Sequence, residues 1–309
     1  MTREQLLAKY ANPILVGPHG HVRLVDVMGD DAAIVQAARV SYGKGTKTVN
    51  EDRGLVRYLI RHRHTTPLEM CVIKFHLKMP IHVARQHIRH RMSSTNEYST
   101  RYSEVADEFE IVSEFRSQST TNKQGSGDLV TEAPENFLDT LDYNEVELAE
   151  DFANGYCSLP ELLEENVKAS IRHSYQTYQL QRNAGVAREQ ARNVLPLATY
   201  TEMYWKIDLH NLFHYLKLRM DPHAQKEIRE LAQAMYEIVK DWVPVAAEAF
   251  EDYSLNAVTF SRQELEWLRE ALNATLKFAP KDSMIDSFVS TGITNKREQQ
   301  EFLTKLGLS

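Results

Sequence analysis

Between Gln86 and Tyr102 the chain reads QHIRHRMSSTNEYSTRY, which sets Arg89, Arg91 and Arg101 close to Gln86, His90, Asn96, Glu97 and Ser99. Arginine grips phosphate or carboxylate oxygens in a bidentate manner, and Gln, Asn and Ser can complete that oxygen shell. Glu97 can accept from a ribose hydroxyl or a ring nitrogen. From Ile81 to Tyr102 four Arg stand against one acid, in a chain whose formal net charge is −7. A flat, anionic ligand is the simplest reason for that mixture. An Arg-His run alone is commonly a solvated helix face, but the donors and acceptors that follow Arg91 so closely favour a site.

Two other groups of residues carry possible chemistry. His62, His64, His87 and His90 raise a metal hypothesis, yet Arg89 and Arg91 would oppose a divalent ion and no carboxylate set lies near. No metal is therefore expected. In NLFHYLKLRMDPHAQKEIR, Asn211, His214 and Leu218 fall at helical spacing, Leu212, Tyr215 and Leu216 read as core, and Arg219 ends the helix. Arg188 and Arg192 are one turn apart. Spacing alone joins neither group to the first. Cys71 and Cys157 are too few for a disulfide framework and match no zinc spacing.

These residues need elements to hold them. Cys71, Ile73, Phe75, Leu77 and Met79 alternate with Lys74, His76 and Lys78, which predicts a half-buried strand. Pro80 suits the first turn of a helix with Ile81, Ala84 and Ile88 facing the core, so the polar cluster should occupy that helix's last turns and the following loop. Strands are expected at residues 22–28 and in LATYTEMYWKI. Helices are expected over 32–40, from Asn50 to about Arg63, from Ser158 (boxed with Glu161) to Asn183, and through Arg188 and Arg192. HTTPLEM reads as a connector. Asp208 should cap the helix bearing Arg219, and Asp221-Pro222 should start a long helix that Pro244 bends before Phe250. SYGKGTKT is turn-rich but lacks phosphate-loop spacing.

At 309 residues with 42% hydrophobic content the chain can bury one large core. Residues 1–253 are expected as a catalytic domain, with an acidic, partly mobile insertion at about 104–154 and a helical extension over 254–309. Between Ser103 and Glu165, 17 acids face only Arg116 and Lys123, which leaves the remainder net basic. Discrete phosphorylated molecules suit that balance better than nucleic acid. No apolar run approaches the ~20 residues that span a bilayer, and the N-terminus lacks a signal-peptide core. A cytoplasmic protein with no membrane partner is expected.

Arg89-His90-Arg91 followed by Ser99, within NEYSTRY, resembles the signature of the flavin-dependent thymidylate synthases. His64-Thr66-Pro67-Glu69, Arg192 in ARNVLP, and NLFHYLKLR with the later HAQ are similar to further blocks of that family, over roughly residues 20–250. The resemblance implies an α+β fold of mixed helix and antiparallel sheet, assembled as a homotetramer. It implies reductive methylation of dUMP to dTMP, with methylenetetrahydrofolate as carbon donor and NADPH reducing FAD. By resemblance Gln86, Arg89, Glu97, Ser99, Thr100, Arg101, Arg192 and Arg219 bind dUMP, Arg101 and Arg192 towards the phosphate and catalytic Arg219 at the uracil. His64, Thr66, Glu69, Arg89, His90, Arg91, Asn96, Glu97, His210 and His214 would hold FAD. Asp208 and His210 stand where Asn and Arg are frequent. The rival reading is a non-catalytic nucleotide- or RNA-binding module using the same helix; a metal-dependent phosphohydrolase is more distant.

Overall fold

The alternation after Cys71 becomes the middle strand of a five-stranded antiparallel sheet. A computed structural model of the chain describes residues 1–40, 49–120, 123, 125–140, 146, 148–276, 293 and 295–306. Contacts divide it into two units, Met1–Leu255 and Asn256–Ser309. The first opens with α1 (Arg3–Lys9), β1 (Ile14–Val16), β2 (Gly20–Met28), α2 (Asp31–Arg39), α3 (Val49–Arg61) and α4 (Thr66–Glu69). Next come β3 (Val72–Pro80), α5 (Ile81–His87), β4 (Ser93–Glu97), β5 (Arg116–Gln118), β6 (Ser126–Leu129) and α6 (Ala149–Ala153). It closes with α7 (Leu159–Asn183), α8 (Arg188–Ala191), β7 (Tyr200–Asp208), α9 (Leu209–Arg219), α10 (Lys226–Trp242) and α11 (Pro244–Phe250). The second unit contains α12 (Arg262–Leu276) and α13 (Lys296–Leu306). There Ser261 accepts from the Glu264 N–H and Asn295 from the Arg297 N–H, capping the two helices.

The large sheet runs β1-β2-β3-β7-β4, every pair antiparallel. Ile73, Phe75 and Leu77 lie opposite Ile207, Trp205 and Met203, and all six are buried. This face packs with the apolar sides of α9 and α10 in one core. Lys74, His76, Lys78, Tyr204 and Lys206 belong to the alternate, polar set, as a period of two requires. A register shift in β2 between Leu24 and Asp26 lets both Leu24 and Val27 face the core. Gly29 follows with φ +81°, where an added Cβ would lie 2.9 Å from the Cys71 sulfur. Asp208 caps α9 through the Asn211 N–H at 3.0 Å. Ser158 and Glu161 form the expected box on α7, which Gly185 ends at φ +84°.

Several local expectations need correction. The helix after Pro80 ends at His87, with Val83, Ala84 and His87 buried and Ile88 exposed, so Arg89 and His90 lie beyond its last turn. Ser93–Glu97 is a strand rather than loop, because β7 supplies its pairing. The long helix after Pro222 starts only at Lys226 and is broken, not bent, at Val243, whose extended-side backbone separates α10 from α11. HTTPLEM holds a turn of helix, and Arg188 and Arg192 divide between α8 and a 3₁₀ turn. Asn50 falls inside α3, while SYGKGTKT lies outside the described residues. Part of the acidic insertion is docked: Phe109 bridges Thr199, Lys78 pairs with Glu108 at 2.6 Å, and β5 pairs with β6.

Candidate active site

α5 and α9 bring their C-terminal ends together, and that juxtaposition joins two groups far apart in sequence. Arg219 Nε–H donates to His90 Nε2 at 3.0 Å, and an Nη2–H donates to the Gln86 carbonyl at 3.2 Å. The guanidinium has no lone pair to offer, so His90 must accept through Nε2 and carry its proton on Nδ1. Burial, then the charges of Arg219 and His214, push His90 down to about 4. His90 is thus neutral at physiological pH. Its ring lies against Tyr215 and His214, at centroid distances of 4.7 and 5.9 Å. Behind it, His87 is fully buried beside Trp205 with Nδ1 3.0 Å from the Tyr215 hydroxyl, and burial pushes it down to about 3. A rigid, uncharged wall of rings therefore backs the Arg219 guanidinium, whose remaining N–H groups are left for a ligand.

A second set of residues follows β4. The Tyr98 N–H donates to the Glu202 carbonyl and extends the ladder. The chain then turns as the Tyr102 and Ser103 N–H groups both reach the Ser99 carbonyl, each at 3.1 Å. Thr100 accepts from Arg192 at 2.8 Å, and Arg101 pairs with Glu189 at 3.0 Å across an exposed surface. Glu97 accepts from the buried Thr201 hydroxyl at 2.8 Å. Arg101, Arg192 and Thr100 can together cradle a phosphate. Among the described residues no hydrogen bond or ion pair links this set to Arg219.

The remaining candidates lie on several elements. His64 and Thr66 lie where α3 passes into α4, Glu69 ends α4, and α4 packs against α9. His210 and His214 lie one turn apart on α9, with His214 exposed. Arg89 and Arg91 are exposed, and among the described residues neither makes an ion pair. Asn96 stands on edge strand β4, opposite Tyr204. By residue type this donor set suits a flavin nucleotide, with guanidiniums for its phosphates and imidazole and amide groups for its rings. Asp208, the acid at the family's frequent Asn position, is already engaged in capping α9.

Neither cysteine is placed as a nucleophile. Cys71 is buried and its thiol is pushed up to about 12 by burial and by Asp30 and Asp31. Among the described residues no group of three His, Cys, Asp or Glu is arranged to hold a metal ion. Sequence reasoning missed Gln225, whose amide hydrogen-bonds Gln86, although the HAQ run contains it. It also missed Thr201, Glu189 and Tyr215 as partners of Glu97, Arg101 and His87; only pairing across the fold reveals those.

Fold and site together define an α+β protein with a cationic site suited to a phosphorylated aromatic ligand. A family model described as "Thymidylate synthase complementing protein" matches residues 23–245. The chain is 50% identical over 265 residues to a flavin-dependent thymidylate synthase of Rickettsia bellii, covering 84% of this chain and 85% of that one. A flavin-dependent thymidylate synthase of Rickettsia prowazekii is 45% identical over 308 residues, 98% of this chain and 96% of its own. Among solved structures, the UMP/dUMP methylase PolB of Streptomyces cacaoi bound with 5-Br dUMP superposes with a TM-score of 0.61 at 28% identity, covering 78% of this chain and 99% of that one. The chain belongs to the flavin-dependent thymidylate synthase family.

Proposed function

We propose that this protein converts dUMP to dTMP, taking the carbon from methylenetetrahydrofolate and reducing equivalents from NADPH. FAD, held by His64, Thr66, Glu69, Arg89, His90, Arg91, Asn96, Glu97, His210 and His214, would supply the two-electron reduction when bound. Arg101 and Arg192 take the dUMP phosphate, with Ser99 and Thr100 completing its oxygens. Gln86, Arg89 and Glu97 orient the nucleoside. Arg219 faces the uracil and stabilises negative charge as N–H ionisation raises the nucleophilicity of carbon 5, an electrostatic role like that of an oxyanion hole. Ser99 acts as a ligand, since no histidine base is hydrogen-bonded to its hydroxyl among the described residues.

The observation that carries this reading is the Arg219 guanidinium held by His90 and the Gln86 carbonyl, in a chain of this family. The raised thiol of Cys71 agrees with a route that uses no cysteine nucleophile. A homotetramer in which neighbouring subunits complete each site would join the Arg101–Arg192 set to Arg219. No described helix is long and apolar enough to cross a membrane.

The test is the visible spectrum of protein reconstituted with FAD and desalted, then mixed with dUMP and NADPH without oxygen. Retained flavin that NADPH bleaches, with a spectrum that dUMP perturbs, is the expected result. Protein that keeps no flavin and ignores dUMP, but binds RNA in a salt-sensitive way, would replace this reading with the binding-module one.

A further inference from the structure

We propose that the cavity between the β5–β6 hairpin and the start of α10 is an anion subsite for the charged tail of a co-substrate whose reactive end lies at the dUMP site. The proposal rests on the thymidylate synthase reading. The cavity holds roughly 620 Å³, inside the range of about 300–1,000 Å³ typical of small-ligand pockets. Arg116, His223, Gln225, Lys226 and Arg229 line it with Ser126, and no acidic residue does so among those described.

Its sign is unusual for where it lies. Arg116 is one of two cations in a stretch of 17 acids, and it stands on this wall. Glu114, outside the lining, pairs with Lys226 at 3.0 Å and with Arg116 at 3.6 Å. That carboxylate offsets one of the two cations. His223 is taken by Asp221 at 2.9 Å. Arg229 donates to the Pro222 and Ala224 carbonyls, which fixes its guanidinium without cancelling its charge. The side chains that line the cavity are net positive, while Glu227 and Glu230 act on Lys226 from outside the lining. The wall also includes the N-terminus of α10, where Gln225 provides no side-chain cap to the first-turn N–H groups. Such groups favour an anion in addition to the basic side chains.

Gln225, in the cavity wall, links it by hydrogen bonding to the candidate site. Its side chain bonds Gln86 and approaches His82, and the Gln86 carbonyl in turn holds Arg219. In the proposed arrangement a ligand with its tail here runs past Gln225 towards Arg219. Both co-substrates of the proposed reaction carry a suitable tail: a nucleotide phosphate on NADPH, and glutamate carboxylates on the folate.

The experiment compares wild type with Arg116→Glu and Arg116→Lys as FAD-loaded full-length enzyme. Equilibrium binding is measured for NADPH against NADH, and for pentaglutamyl against monoglutamyl methylenetetrahydrofolate. Losing one charge-assisted hydrogen bond implies about tenfold weaker binding in Arg116→Glu, with Arg116→Lys close to wild type. A loss seen with NADPH and not NADH identifies the phosphate as occupant; a loss seen only with the pentaglutamyl folate identifies the carboxylates. Unchanged binding of all four ligands, with flavin retention and the dUMP response intact, overturns the subsite alone. Wild-type protein that binds neither flavin nor dUMP overturns the functional reading and the subsite with it.

Discussion

In the proposed role, Arg219 serves the pyrimidine only while His90 accepts from it. A protonated imidazole has no acceptor and would repel the guanidinium, so the contact requires the neutral ring. His90→Ala should lower turnover about tenfold, the worth of one charged hydrogen bond. His90→Gln, whose amide oxygen can accept, should recover part of that loss; equal loss in both variants would count against the positioning role. Arg219→Ala should lose on the order of 100-fold or more in turnover at saturating dUMP. Both rings also tie stability to pH. In the unfolded chain a histidine titrates near ~6.5, whereas folded His90 and His87 lie at about 4 and about 3. Between these values the unfolded state binds more protons, so stability is complete above the unfolded value and falls as pH drops towards 4. Thermal midpoints at pH 7.5 and 5.0 should show the decline, and His90→Gln should lessen it. The Arg, Gln, Asn and Ser types were legible from sequence as anion chemistry. Spacing alone did not join Arg219 to them, because its contact with His90 spans 129 residues; only the family resemblance did.

At the scale of elements, strong local signals translated directly. Alternation predicted β3, and Asp208 and Ser158 marked the starts of α9 and α7. β4 was hidden because Ser, Asn and Glu have little intrinsic strand preference, and its order comes from hydrogen bonding along β7. The break at Val243 was hidden too: a proline at the first position of α11 fits both a kink and a new helix. Asp208→Ala removes the cap of α9 and should lower stability by about 1 kcal/mol, with Asp208→Asn nearly neutral, as urea midpoints would show. Trp205→Ala, at the fully buried centre where β7 meets His87 and Tyr215, should lose about 3–5 kcal/mol or fail to fold.

For the whole molecule, the uneven charge has a structural counterpart. The acidic segment puts Glu108 and Glu110 against Lys78 and Tyr200 and brings Arg116 to the cavity beside α10. The cationic residues of the candidate site lie outside that segment. Among the described residues no hydrogen bond or ion pair joins its two sets, one around Arg219 and one around Arg192, which makes assembly a functional question. Light scattering of the flavin-loaded protein should give a tetramer, and dilution that dissociates it should release flavin; a monomer with full FAD affinity would contradict the shared site. The central claim is methylation of dUMP without a cysteine nucleophile. Chromatography of reactions holding dUMP, methylenetetrahydrofolate, NADPH and FAD should show dTMP from wild type and from Cys71→Ala alike, and none when FAD is left out. dTMP formed equally well without flavin, or lost specifically with the Cys71 thiol in a folded variant, would contradict the account.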